Sequence, residues 1–395
     1  MLMLRPSANR ACKPNILPKR QFMTHLQNRS RALDVMRGMT LALMIVVNMS
    51  LDEAHSYAPL LHAAWHGLTL TDLVFPSFMF VVGAAMSFTL SRYQGMGNAA
   101  LLKKILSRSA LIFLCGYLLY WFPFFEFDKA GQLALLPVAN TRIPGVLQRI
   151  ALGYGCAALI VHYWGRRGAI AFGIVALLGY WWAMASFGDY TLAGNAGLKL
   201  DKLLLGESHL YRGEGVAFDP EGILSTLPAV VNVLAGYYAG RYLQAQGRDY
   251  EAVAKLMLAG ATCIVAALCW DSAFPINKKL WTSSYVLVTI GIDLVVLAAL
   301  IQVIDLAGPA QRRWTYFFEV FGRNTLFIYL LSELLMSVSW LAHVGDKALF
   351  TWLYESGFQS WAGNKPGSLL FALAFMLSCW LIGYAMDRKK IYIKL

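Results

Sequence analysis

Charge is scarce in this 395-residue chain: 14% of its residues are Asp, Glu, Lys or Arg, against about 25% in an ordinary soluble domain. With 58% hydrophobic residues and a mean hydropathy of +0.53, a soluble fold is excluded and a polytopic membrane protein is implied. Other absences narrow the chemistry. No glycine-rich phosphate loop of the P-loop or dinucleotide type occurs, which argues against nucleotide hydrolysis. No Cys or His spacing of the zinc-protease kind occurs, and no metal is expected. Of the six cysteines, all but Cys12 lie inside apolar runs, so no disulfide framework follows. The N-terminal stretch holds no apolar core of signal-peptide length. No repeat of the kind that marks duplicated transporters, and no long linker, divides the chain.

What is present is a series of long apolar runs. About ten reach the roughly 17–25 residues that a helical span requires: 33–50, 71–90, 105–125, 144–163, 168–187, 222–242, 253–270, 283–304, 318–342 and 367–386. The expected fold is therefore an all-α integral membrane protein with about ten transmembrane helices and cytoplasmic N- and C-termini. Residues 1–31 read as a basic cytoplasmic arm and 32–395 as one transmembrane domain. The formal net charge of +12 belongs to this topology rather than to nucleic-acid binding, because Lys and Arg beside apolar spans fix orientation. By this count Lys103, Lys104, Arg108, Arg166, Arg167, Arg241, Arg248 and the tail from Arg388 fall inside. The connection 51–70 has neither Lys nor Arg and falls outside. Residues 346–361 are too short and mixed to span and read as an amphipathic interfacial helix, with Trp352 and Trp361 at the interface. The long connection 188–221 reads as a solvated excursion for most of its charges.

The polar residues are unevenly placed. His55, His62 and His66 share one short connection, and Asp72 stands just inside the next run. A histidine near a membrane surface titrates around neutral pH and takes a proton from an amine or hydroxyl, while a nearby carboxylate fixes its tautomer. His62, Asp72, Arg142, Asp219, Asn277 and Lys278 come from separate connections, yet all are expected at the outer face. Convergent polar groups at several helix ends build a cavity in membrane proteins. Gln148 and Arg149 lie inside a span, where an arginine needs a polar cavity or a fixed acceptor such as Asp293. Glu333 carries the same ambiguity. Arg323 and Asn324, at an inner helix start, offer donors to an anion.

The stretch HAAWHGLTLTDLVFPSFMFVVG, with LDVMRGMT at 33–40, RIPGVLQRIA at 142–151, FDPEGILSTLPAVVNVLAG at 218–236 and PINKKLWTSSYV at 275–286, resembles the heparan-α-glucosaminide N-acetyltransferase family. The resemblance runs from about Arg31 to the C-terminus and implies a shorter, bacterial-type member. It implies that His62 is the catalytic histidine, Asp72 its acidic partner and Asn48 a residue that helps hold the amino sugar. FDPEG brings Asp219 and Glu221 into the same site, beside Gln148, Arg149, Asn277 and Lys278. Acetyl-CoA is the implied co-substrate. Its phosphates are expected on inner-side basic residues, Arg37, Arg108, Arg166, Arg167 and Arg323 with Asn324.

The resemblance thus implies an acetyltransferase in a bilayer, taking an amino-sugar substrate, in a bacterial inner membrane and with a homodimer open as an arrangement. Two other functions stay open at this level. One is a secondary transporter for an amino sugar, with His62, Asp72 and Arg149 as substrate or proton sites. The other is an O-acyltransferase of a cell-envelope glycan.

Overall fold

Inside a bilayer an apolar run satisfies its own N–H and C=O groups by forming a helix. The structure, a computed structural model, describes residues 30–51, 53–93, 95–127, 132–307 and 312–393. The expected basic arm lies almost wholly outside the described residues. The helices, in chain order, are α1 (Arg31–Asn48), α2 (Leu70–Arg92), α3 (Asn98–Trp121), α4 (Val146–Phe187), α5 (Ala196–Leu204) and α6 (Ile223–Gln246). There follow α7 (Tyr250–Asp271), α8 (Ser283–Leu300), α9 (Arg312–Arg323), α10 (Thr325–Leu341), α11 (Leu349–Tyr354) and α12 (Asn364–Arg388). Strand structure among the described residues is confined to two small hairpins, β1 (Phe125–Phe127) with β2 (Leu133–Leu135) and β3 (His343–Val344) with β4 (Lys347–Ala348). Residues Arg31–Leu395 form one compact unit.

Among the described residues, six helices are long and apolar enough to cross a membrane: α2, α4, α6, α7, α8 with its continuation to Leu306, and α12. Arg313–Arg323 and Thr325–Leu341 make a seventh if taken as one span, bent by 78° at the break. Each run expected from the sequence contains helix. The first and third, α1 and α3, carry Arg31, Asp34, Arg37 and Lys103, Lys104, Arg108 and are less apolar than the rest. The runs 144–163 and 168–187 form the two halves of α4, separated as expected by a break at Gly165, whose φ of 60° and ψ of −157° are not helical. At about 1.5 Å per residue each half is roughly 30 Å long, about one hydrocarbon thickness, and the break turns the chain back, so that Arg149 of the first half and Tyr180 of the second reach the neighbouring residues Trp281 and Leu280. The bend between α9 and α10 falls at Asn324, outside helical geometry at φ −124° and ψ 37°.

Lipid gives apolar helices no hydrophobic reason to associate, so tight pairing needs close backbone approach. Three helix pairs achieve it with reciprocal glycines. On α2, a Cβ at Gly83 would lie 1.9 Å from the Val233 carbonyl oxygen, and one at Gly236 on α6 would lie 1.8 Å from that of Phe80. The same exchange joins Gly38 of α1 to Phe318 of α9 (1.8 Å) and Gly322 of α9 to Asp34 of α1 (2.4 Å). Gly260 of α7 and Gly291 of α8 each face the other's carbonyl, 2.7 Å from a built Cβ.

The connection 188–221 departs from the solvated excursion expected of it. It holds α5, a single 3₁₀ turn at Glu207–His209, and part of a second apolar cluster built from Tyr180, Met184, Leu198, Leu210, Phe218 and Phe274. The Asn195 side chain caps α5 by accepting from Leu198 N–H (2.7 Å), and the Trp65 indole donates to the Tyr190 carbonyl (2.8 Å). A folded cap thus leans on the histidine connection. The segment expected to be amphipathic is helical from 349 to 362, with Trp352 and Trp361 exposed.

Gly236→Ala is expected to force α2 and α6 apart at a cost of about 1–3 kcal/mol, the range for overpacking a close-packed contact. Melting in detergent checks this. Gly173→Ala, whose Cβ meets nothing nearer than Val231 Cγ1 at 3.9 Å, should melt no lower than the parent.

Candidate active site

The site begins with the start of α2. Thr69 is the N-cap, accepting from Asp72 N–H, and Asp72 returns the contact by accepting from Thr69 N–H at 3.0 Å, a reciprocal capping box. Asp72 Oδ2 also accepts from Ala63 N–H (3.1 Å) and the Thr69 hydroxyl (3.0 Å). Its other oxygen, Oδ1, lies 2.7 Å from His62 Nδ1. An ionised carboxylate only accepts, so Nδ1 carries the proton and Nε2 presents its lone pair. Asp72 is 1% exposed whereas the His62 side chain is 47% exposed. The carboxylate is fixed and buried; the imidazole faces outward.

The loop before α8 closes over this pair. Lys278 Nζ stands 3.0 Å from His62 Nε2 and 3.2 Å from Nδ1. Asn277 is fully buried, accepting from Leu280 N–H (2.8 Å) and donating to His66 Nδ1 (3.3 Å). Gly67 N–H donates to the Ile276 carbonyl (2.8 Å), tying the histidine connection to this loop. Lys279 is held by Glu214 (2.7 Å) and the Ala64 carbonyl (3.2 Å). Burial pushes the Lys278 ammonium down from its ordinary range, against the opposing charges of Glu221 and Asp72.

A second cluster centres on Arg142. Its guanidinium grips Asp219 with two prongs (2.8 and 2.7 Å) and reaches Glu221 (2.6 Å) and the Tyr120 hydroxyl (3.2 Å). The rings of Tyr120 and Tyr211 flank it at 4.8 and 4.9 Å. Burial alone would pull the Arg142 pKa down, but Asp219 and Glu221 raise it overall. Glu221 also acts on Lys278 electrostatically, so the two clusters share one field.

Gln148 and Arg149 open α4 beneath these groups. Arg149 is 1% exposed, donates through Nη2 to the Gly222 carbonyl (3.1 Å) and to Ser225 Oγ, and lies over the Trp281 ring at 4.8 Å. The suggested lock to Asp293 does not form: Asp293 instead bonds Ser77, and among the described residues Arg149 Nε and Nη1 find no hydrogen-bond partner. Both amide atoms of buried Gln148 are likewise unpartnered, and its Oε1 would lie 2.4 Å from a Cβ at Gly116 of α3. Asn48, at the end of α1, donates to Glu333 on α10 (2.9 Å).

The basic residues assigned to the donor do not gather with these. Arg323 is engaged by Asp387 (2.7 Å) and Glu319 (2.9 Å), and Asn324 bonds the Ile391 carbonyl and Ile393 N–H, both at 3.0 Å. Their donors, read from sequence as free for an anion, instead fasten the tail and α12 to the bend. Arg37 donates to the Gly322 carbonyl (3.2 Å). Arg108 lies over the Tyr154 ring at 4.9 Å with Nε unpartnered, and Arg166 and Arg167 are exposed.

A family model described as heparan-alpha-glucosaminide N-acetyltransferase, catalytic, matches residues 29–269. The chain belongs to that family. It is similar to heparan-alpha-glucosaminide N-acetyltransferase of Homo sapiens, 28% identical over 393 residues covering 83% of this chain and 56% of the human protein. The Mus musculus protein of the same name is 28% identical over 369 residues, covering 78% of this chain and 54% of the mouse one. The chain thus spans about half the length of these relatives. The segment matched by the family model contains His62, Asp72, Arg142, Arg149, Asp219 and Glu221 and ends before Lys278.

Sequence reasoning missed several groups around this family site. Tyr120 and Tyr211 gave no signal beyond being aromatic. The Thr69-x-x-Asp72 spacing was a readable capping signature, and it assigns Asp72 a structural duty as well. Asp201, taken as a solvated charge, is 2% exposed and accepts from Ile223 N–H (2.8 Å), capping α6 from α5. Burial, with the Asp219 charge adding, pushes its pKa up to about 6.

A carboxyl whose folded pKa is raised lends stability below its unfolded pKa, near 3.8, and loses it as pH rises through about 6. At pH 7.5 the buried charge therefore costs roughly 3 kcal/mol, two pKa units at about 1.4 each. Asp201→Asn keeps an acceptor for Ile223 and should melt above the parent at pH 7.5, with the advantage shrinking by pH 4.5.

Proposed function

We propose that the chain is an integral-membrane N-acetyltransferase that moves acetyl from acetyl-CoA to the amine of a glucosamine-type sugar. The observation that carries this reading is the His62 Nδ1–Asp72 contact of 2.7 Å, set within the family segment 29–269. Asp72 holds the Nδ1–H tautomer, so Nε2 is the base. A glucosamine amine is largely protonated near neutral pH and attacks a thioester only after losing that proton, and positioned proton transfer is worth about 10²–10⁴-fold. Asn48 with Glu333, the Arg142–Asp219–Glu221 group, Asn277 and the unpartnered atoms of Gln148 and Arg149 supply the acceptors and donors that a polyhydroxylated ring requires.

The fuller arrangement has ten spans, with α4 crossing twice about Gly165, both termini cytoplasmic, and the His62 end at the outer face of a bacterial inner membrane. The scarcity of Lys and Arg in 51–70 supports that orientation. Acetyl-CoA then arrives from the cytoplasm, its pantetheine arm reaching through the bundle while its phosphates stay with Arg37, Arg108, Arg166 and Arg167. Arg323 joins them only by exchanging a protein carboxylate for a phosphate.

Purified protein in detergent, where transport is meaningless, should move radiolabelled acetyl from acetyl-CoA to glucosamine. His62→Ala should lower turnover at least 100-fold while CoA affinity stays near the parent value. Normal turnover in this variant removes His62 as the base. Orientation has its own measurement: in a background lacking native cysteines, Glu53→Cys should react with an impermeant thiol reagent on intact cells and Glu251→Cys should not. The reverse pattern places the site at the other face.

A further inference from the structure

We infer that Lys278 is the proton donor to the departing thiolate and is recharged by direct proton transfer from His62. The inference rests on the proposed acetyl transfer and extends it to the leaving group. Amide formation from a thioester needs a base for the amine and an acid for the sulfur. His62 supplies the first. A second proton carrier spares Nε2 from having to turn from the amine to the sulfur within one step.

Lys278 meets the geometric need. Its Nζ is nearly equidistant from the two ring nitrogens of His62, at 3.0 and 3.2 Å, so it lies across the ring and not along one lone pair. A group there reaches whatever atom is reacting at Nε2. Lys279 is pinned by Glu214 and Ala64, whereas among the described residues no carboxylate hydrogen-bonds Lys278. Its charged surroundings are His62, Asp72 of α2, Glu221 ahead of α6, Lys279 and Glu214. Burial lowers its pKa, so this ammonium gives up a proton more readily than a surface lysine.

The loop is also held rigidly. Trp281, 1% exposed, adopts a left-handed φ of 54°, a conformation costly for a bulky residue. That strain closes the turn in which Trp281 N–H donates to the Lys278 carbonyl (3.0 Å) and Thr282 N–H to that of Asn277 (3.2 Å). Gly67 N–H and His66 bind the other side of the loop to the histidine connection. Lys278 is therefore placed before any ligand arrives, as electrostatic catalysis requires.

The step balances as follows. The sugar enters this step as the free amine, its ammonium proton already lost to water; the nitrogen forms a bond to the acetyl carbon and one of its two protons passes to His62 Nε2. The carbon–sulfur bond breaks, its electron pair stays on sulfur, and sulfur takes a proton from Lys278 Nζ. The half-exposed imidazolium ring then turns its Nε2–H toward the neutral Lys278 amine, 3.0 Å away in the resting site, and returns its proton. Amine and acetyl thioester become amide and thiol, and both side chains regain their starting states.

Lys278→Arg is the decisive variant, because a guanidinium keeps the positive charge and the donors but does not release a proton near neutral pH. With acetyl-CoA and glucosamine it should lose about 10²–10³-fold in kcat with KM little changed, within the range of general acid catalysis. The alkaline fall in the parent's pH–rate profile should vanish from what remains. Lys278→Met should lose at least as much, and CoA affinity and melting temperature of both variants check that they fold. Reductive methylation read by peptide mass spectrometry should modify Lys278 at lower pH than exposed Lys365. Lys278→Arg turning over within threefold of the parent with the same alkaline limb, or Lys278 labelling no earlier than Lys365, overturns the inference while parent activity leaves the acetyl-transfer reading standing. A parent protein that moves no acetyl overturns both.

Discussion

Asp72 divides its carboxylate between a helix and a histidine. One oxygen accepts from Ala63, Thr69 N–H and the Thr69 hydroxyl, closing the start of α2, and the other holds His62. Its backbone carbonyl accepts from the Tyr285 hydroxyl of α8 (2.6 Å). One residue therefore fixes where a helix begins, how the histidine connection folds back, and where α8 sits against it. The same contacts that satisfy a helix end set the tautomer of the base, so fold and chemistry cannot be separated here.

That end of the molecule is richly polar, and the helices that carry it cross at fixed, close-packed points. The α1–α9, α2–α6 and α7–α8 crossings are set by glycines that admit a neighbouring carbonyl, a close approach that side chains would prevent. Fixed crossings bring groups from distant connections within bonding distance: His62 and Lys278 are 216 positions apart, Arg142 and Asp219 77. Arg149 shows the result at depth, a cation met by a carbonyl, a hydroxyl and an aromatic face.

The helical class and the His62–Asp72 partnership were legible in the sequence because each has a local signature, apolar length in the first case and a quoted motif in the second. The break between the two halves of α4 was legible as the gap between two apolar runs, whereas the dihedrals at Gly165 that turn the chain were hidden. The fate of Arg323 was equally hidden: Asp387 lies 64 positions away, and nothing near Arg323 announces a partner. The cap over 188–221 was missed because its apolar residues are scattered among charges with no period, and they find their core against Tyr180 of α4 and Phe274 of the loop before α8. Thr69-x-x-Asp72 was readable as a cap and was read only as chemistry.

The pairing of α1 with α9 also has a history written into it. Arg31 finds Glu319 at 3.0 Å across 288 positions of chain, and Gly38 waits for the carbonyl of Phe318. At about 5–20 residues per second, α1 stands roughly 15–60 s before its counterpart on α9 exists. Asn324 then clasps Ile391 and Ile393, which follow α12. The face of α1 that α9 covers is therefore open while α2 to α8 are being made, and the pairing closes only once α9 follows them.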